Sequence, residues 1–128
     1  MGRGLAKPLV ELTLNRIWEC VQNNQFYLES NRPENEMFIQ EFKLDKDAQA
    51  KILLGININD YCESEESKRF PGKYIHIFAP KVKLLHSNGI SENLSMYIKV
   101  EIRETKKGEI VAVISFHRLN FPIYHAFQ

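Results

Sequence analysis

A chain of 128 residues with a hydrophobic fraction of 44% and a charged fraction of 26% has the composition of an ordinary folded domain, large enough to close a core. Two isolated cysteines, Cys20 and Cys62, lack zinc spacing and a disulfide framework, and they point to a reducing cytoplasm. No apolar run approaches a membrane span and the N-terminus has no signal-peptide core, so one cytoplasmic domain without membrane, metal or cofactor is expected. The net charge of +1 hides an asymmetry: seven Lys/Arg against twelve Asp/Glu through Ser67, then nine against three from Lys68 to Lys107. A basic second half suggests an anionic partner.

In chain order, residues 1–7 read as a frayed end. Pro8 suits a first helical turn, and Leu9–Asn24 carries Val10, Leu14, Ile17, Trp18 and Val21 at helical spacing, with Trp18 as a core anchor. Phe26–Leu28 is a short extended piece, and Ser30–Asn35 a loop in which Pro33 biases Arg32 away from helix. Glu36–Phe42 fits no single period. Asp45 is an N-cap for a helix through Leu54, closed by Gly55. The polar segment CESEESKRFPGK, with its Pro71-Gly72 turn, reads as a solvated connection long enough to serve as an active-site loop. Tyr74–Phe78 (YIHIF) alternates as a strand that Pro80 ends, and His86–Asn93 is a loop around Asn88-Gly89.

The hairpin Met96–His117 organises the rest. Met96, Ile98, Val100 and Ile102 alternate with Tyr97, Lys99, Glu101 and Arg103, and Ile110–Phe116 is a nearly unbroken apolar strand. A three-residue loop, Lys106-Lys107-Gly108, would pair Thr105 with Glu109, Ile102 with Ala112, Val100 with Ile114 and Ile98 with Phe116. The opposite face would then carry Tyr97 against His117 and Lys99 against Ser115, with Cβ atoms about 5 Å apart. Helices followed by an antiparallel sheet make an α+β domain.

No phosphate-cradling glycine loop, dinucleotide fingerprint or nucleophile elbow is present. What remains is a phenol, an ammonium, a hydroxyl and an imidazole on one sheet face. Metal-free RNA cleavage needs a base for the ribose 2′-hydroxyl, an acid for the leaving oxygen and a cation on the phosphate. Histidine, with an ordinary pKa near 6.5, serves as either base or acid; His117 is the candidate, with Lys99 on phosphate and Tyr97 orienting the substrate.

From about Leu44 to Pro122 the order of KILLGININDY (Lys51–Tyr61), PGKYIHIF (Pro71–Phe78), MYIKVEI (Met96–Ile102) and VAVISFH (Val111–His117), with Phe121-Pro122 following, resembles the MqsR-type (motility quorum-sensing regulator) toxins within the RelE-like ribonucleases. The resemblance implies a RelE/MqsR-like α+β fold and the toxin of a toxin–antitoxin pair: a metal-independent endoribonuclease acting on mRNA and neutralised by a cognate protein antitoxin. The family tyrosine and the basic residue after Ser-Phe match Tyr97 and His117, although the founding member has lysine at the latter position. Lys99 matches the lysine two residues beyond the tyrosine. The family's further functional lysine and glutamine have no residue-for-residue match; Lys68, Arg69, Lys73 and His76 lie in that region, and with Arg103 they are the candidate RNA-binding residues. Two other readings compete: a binding module that keeps the sheet without the chemistry, and a small-ligand domain with His76 and His117 lining one pocket.

Overall fold

A computed structural model describes residues 4–128. Of the expected frayed end, residues 1–3 lie outside the described residues. The rest of it is ordered: the Leu5 amide donates to the Tyr61 hydroxyl at 3.1 Å, and Lys7 already opens helix α1, Lys7–Gln22. Strand β1 (Phe26–Leu28), α2 (Pro33–Phe42) and α3 (Lys46–Leu54) follow, then a 3-10 turn at Ile58–Asp60. Strands β2 (Tyr61–Glu66), β3 (Tyr74–Phe78), β4 (Lys81–Leu85), β5 (Ser91–Thr105) and β6 (Gly108–Arg118) complete the chain. The molecule is α+β, with helices packed on one face of a six-stranded sheet ordered β1-β6-β5-β3-β2; β4 pairs with the first part of β5. No helix among the described residues is long and apolar enough to cross a membrane.

The core is built as the periodicities require. α1 buries Val10, Leu14, Ile17 and Val21, each worth about 1.5–3 kcal/mol in burial, against Met96, Ile98, Val100, Val113 and Phe116. Trp18 packs at the margin of this core and donates its indole N–H to the Ile56 carbonyl at 3.1 Å. Asp45 caps α3, accepting from the Ala48 amide at 2.9 Å.

Several expectations are corrected. The sheet is mixed, because β1 runs parallel to β6. α2 begins at Pro33, where the missing N–H costs nothing at a first helical position, so the supposed loop through Asn35 is already helix. The CESEE segment is not a loop but the edge strand β2, and the excursion that follows it is confined to residues 67–73. β4 and the first residues of β5 form a second hairpin around Gly89, at φ 88°, where a loop was expected.

The central hairpin reaches its expected partners by a different route. Thr105 pairs with Gly108, so the turn is one residue shorter than the spacing suggested, and Ile102 faces Val111 and Val100 faces Val113. A bulge at Ile114 then takes up the missing residue, and from Lys99↔Ser115 through Ile98↔Phe116 to Tyr97↔His117 the pairs are those expected. Asn35, 3% exposed, seals the bulge: its side-chain amide donates to the Ile114 carbonyl at 3.0 Å and accepts from the Phe116 amide at 2.8 Å.

Candidate functional site

Alternation along β5 directs Met96, Ile98, Val100 and Ile102 into the helical core and Tyr97, Lys99, Glu101 and Arg103 to the other face of the sheet. Cross-strand pairing sets Tyr97 beside His117, ring centroids 5.7 Å apart and planes inclined by 30°, with Lys99 beside Ser115 in the next rung. The His117 imidazole bonds through Nδ1 to the Arg118 carbonyl at 2.9 Å. A carbonyl only accepts, so Nδ1 carries the hydrogen and Nε2 of the neutral ring is a free base. Helix α2 borders His117, with Glu34, Met37, Phe38 and Glu41 lining one hollow with it, and the C-terminal segment covers Tyr97 in part. Leu119 and Ile123 pack with Tyr97 on Cys62, Ile77 and Ala79, and the Phe121 ring meets Tyr97 edge-on at 5.2 Å. Burial, reinforced by Glu65 and Glu63, raises the Tyr97 pKa and holds it as a phenol. The same surroundings push the Cys62 thiol up to about 12, chiefly by burial, so it is an inert filler.

The expected positive field is not there. Lys99 Nζ lies 3.2 Å from Glu65 Oε1, a carboxylate that β2 projects onto this face. Arg103 is committed to Glu101 at 2.9 Å, to Glu29 at 3.1 Å and to the Tyr27 hydroxyl, so it clamps β1 to β5 instead of offering itself to RNA. Lys73 pairs with Glu104 at 3.0 Å and lines a groove against α1 rather than this face. Lys68 and Arg69 do border an open cleft of about 740 Å³ together with Lys99, Glu65 and Glu101, and neither makes an ion pair among the described residues. The face is therefore one of mixed charge: Arg32, Lys68, Arg69, Lys99 and Arg103 share the cleft lining with Glu29, Glu65, Glu66 and Glu101.

His76 is a correction. It pairs with Val100 and its neighbour Phe78 with Ile98, so both belong to the helix-covered face, opposite Tyr97. His76 is 7% exposed, and Ser64 Oγ lies 2.8 Å from its Nδ1. Burial first and the Arg16 charge second, opposed by Glu101, lower its pKa to about 4. Among the described residues His76 and His117 line separate hollows on opposite faces of the sheet, not one pocket. The lowered pKa predicts acid sensitivity. With the unfolded value near 6.5, stability is complete above that pH and is lost as pH falls toward 4, by about 3 kcal/mol in all. Urea melts from pH 7 to 4 should show this loss in the wild type and most of it removed in His76→Phe; parallel curves would dissociate His76 from it.

Among the described residues one trio has metal-ligand spacing: Glu41, His86 and Glu92, with ligand atoms within 4.8 Å of one another. Arg118 already occupies its centre, with a guanidinium nitrogen 2.6 Å from Glu41 and 3.0 Å from Glu92, while His86 Nε2 sits 2.7 Å from Glu92. The Arg118 and His86 hydrogen bonds lower Glu92 to about 2. A cation would have to displace Arg118; the trio is an ion-paired clamp joining α2, β5 and β6.

Comparison with protein-family models gives no match, and comparison with curated proteins gives none.

Proposed function

We propose that the Tyr97–His117–Lys99 face is the site of a metal-independent endoribonuclease. The observation that carries this reading is the pairing of Tyr97 with His117 on the sheet face opposite the α1 core, one rung from Lys99 and Ser115. In the proposed reaction His117 Nε2 removes the ribose 2′-hydroxyl proton and the 2′ oxygen attacks phosphorus. The P–O5′ bond breaks, and the departing 5′ oxygen takes up the proton from His117, which leaves a 2′,3′-cyclic phosphate and a 5′-hydroxyl. The Tyr97 phenol donates a hydrogen bond to a phosphate oxygen, Lys99 neutralises the phosphate by exchanging Glu65 for it, and Lys68 and Arg69 hold the strand at the cleft mouth. By resemblance the substrate is mRNA, the chain is the toxin of a toxin–antitoxin pair in the cytoplasm, and a protein antitoxin covers this face.

A binding-only function is the second reading, favoured by the carboxylate partners of Lys99, Arg103 and Lys73. One experiment separates the two: incubation of the purified chain with a defined RNA in chelator, with and without ribosomes, and mapping of the ends. Cyclic phosphate termini are the expected result. RNA retained at low salt and released at high salt, but never cut, would establish the binding module instead.

A further inference from the structure

On the other side of the sheet, α1 and the start of β3 leave a groove of about 640 Å³, within the range of small-molecule sites. Leu5, Leu9, Leu12, Tyr74 and Ile102 supply its apolar walls. Leu9, Leu12 and Tyr74 remain 51%, 60% and 46% exposed, so their apolar surface serves the groove more than the core. The α1 stripe that builds the core is Val10, Leu14, Ile17 and Val21, and Leu9 and Leu12 lie beside it. Of the charges at the rim, Arg16 is paired with Glu109 and Lys73 with Glu104, while the Glu19 carboxylate has no ion-pair partner among the described residues. An uncharged occupant suits such a rim better than an anion does.

One polar side chain reaches the groove from below. His76 lines it, and a chain of hydrogen bonds fixes both the ring and its tautomer. The Tyr61 hydroxyl accepts from the Leu5 amide, and Ser64 Oγ, 2.7 Å away, is the one acceptor among the described residues for its own hydrogen. Ser64 in turn donates to His76 Nδ1 at 2.8 Å. Tyr61, Ser64 and His76 are 0%, 2% and 7% exposed, so water does not compete along this relay. Nδ1 is thereby the acceptor, and the hydrogen of the neutral ring sits on Nε2. Nε2 has no hydrogen-bond partner among the described residues. Nε2 is not sealed from solvent, so a ligand acceptor entering the groove would take the place of water on that donor.

We infer that this groove binds a small, neutral, largely apolar molecule that presents a carbonyl oxygen to His76 Nε2–H. The leucines of α1 and Tyr74 enclose the apolar body, and the Tyr61–Ser64–His76 relay preorganises the single donor. The site is independent of the RNA-cleaving face, and the outcome of the RNA experiment does not bear on it.

The test uses prodan, a neutral naphthalene ketone whose emission shifts to the blue when its surroundings become apolar, titrated into the full chain. Saturable binding with a blue shift is expected in the wild type. Removing one hydrogen bond in His76→Phe should weaken binding by about tenfold, while His76→Gln, which restores an N–H at about the same reach, should stay within roughly threefold. Leu12→Asp, on the exposed surface of α1, should weaken it by about tenfold or more without unfolding the chain. Should His76→Phe fail to fold, Leu12→Asp and a prodan-induced shift of the His76 Nε2 resonance in the wild type decide the matter. Absence of saturable binding, or equal affinity in wild type and Leu12→Asp with an unmoved His76 resonance, would overturn the assignment.

Discussion

His117→Ala should cut RNA cleavage by about 10²–10⁴-fold, the usual contribution of a positioned general base. Among the described residues its side chain makes one hydrogen bond, to the neighbouring Arg118 carbonyl, and no ion pair, so the fold does not rest on it. Thermal unfolding of the variant should therefore stay within about 1 kcal/mol of wild type, the range of a surface substitution. Two neighbours give the prediction more resolution. Tyr97→Phe keeps the packing on Phe121, Leu119 and Ile123 while losing a single hydrogen bond, so the rate should fall by roughly tenfold and stability should hold. Glu65→Gln releases Lys99 from its 3.2 Å partner and should tighten RNA binding and steepen its salt dependence. Undiminished cleavage by His117→Ala, with ends mapped to the same positions, would remove the imidazole from the chemistry. Tighter binding in Glu65→Gln without cleavage in any variant would point to the binding module.

What the sequence made legible was decided by local periodicity, and what it hid was decided by neighbours distant in the chain. Alternation in Met96–Ile102 sorted one face from the other correctly because each residue of a strand has only two directions to choose from. Two opposing offsets, a shorter turn and a bulge at Ile114, cancelled, and Tyr97 met His117 as the spacing implied. β2 and β4 escaped because edge strands carry charge: Glu63, Glu65 and Glu66 on one, Lys81 and Lys83 on the other. That miss had a chemical consequence, since Glu65 is the partner that quenches Lys99. Glu29 does the same to Arg103 from a β1 whose parallel pairing no short-range signal announces. For His76 the signal was present: it alternates in phase with Phe78, and a phenylalanine in that phase belongs to the core. The coverage of Tyr97 by residues after Arg118 had no periodic signature at all.

Asn35→Leu should destabilise the chain by about 2–5 kcal/mol, because the Ile114 carbonyl and the Phe116 amide lose their side-chain partner at about 1–3 kcal/mol each. β1 ends at Leu28, and the Glu29 amide makes the last strand-like bond, to the Val113 carbonyl at 2.9 Å. The bulge then turns the next carbonyl, that of Ile114, to the same edge as Val113, where no strand remains to receive it. Asn35, fixed in the first turn of α2 by Pro33, supplies a donor and an acceptor in the positions a strand backbone would have offered. Leucine has the same branched heavy-atom skeleton with bulkier methyls, so the substitution removes the hydrogen bonds without opening a cavity. For a chain of this size the loss corresponds to a drop in Tm on the order of 10 °C, measurable by calorimetry. A change under about 0.5 kcal/mol would mean that the bulge relaxes and finds other partners. The same substitution tests the coupling of fold to site, since the bulge is what brings Ser115 and His117 into register with Lys99 and Tyr97. In the fraction that stays folded, RNA cleavage should fall further than the folded population does. A rate that merely tracks that population would show that the register of β6 survives without Asn35.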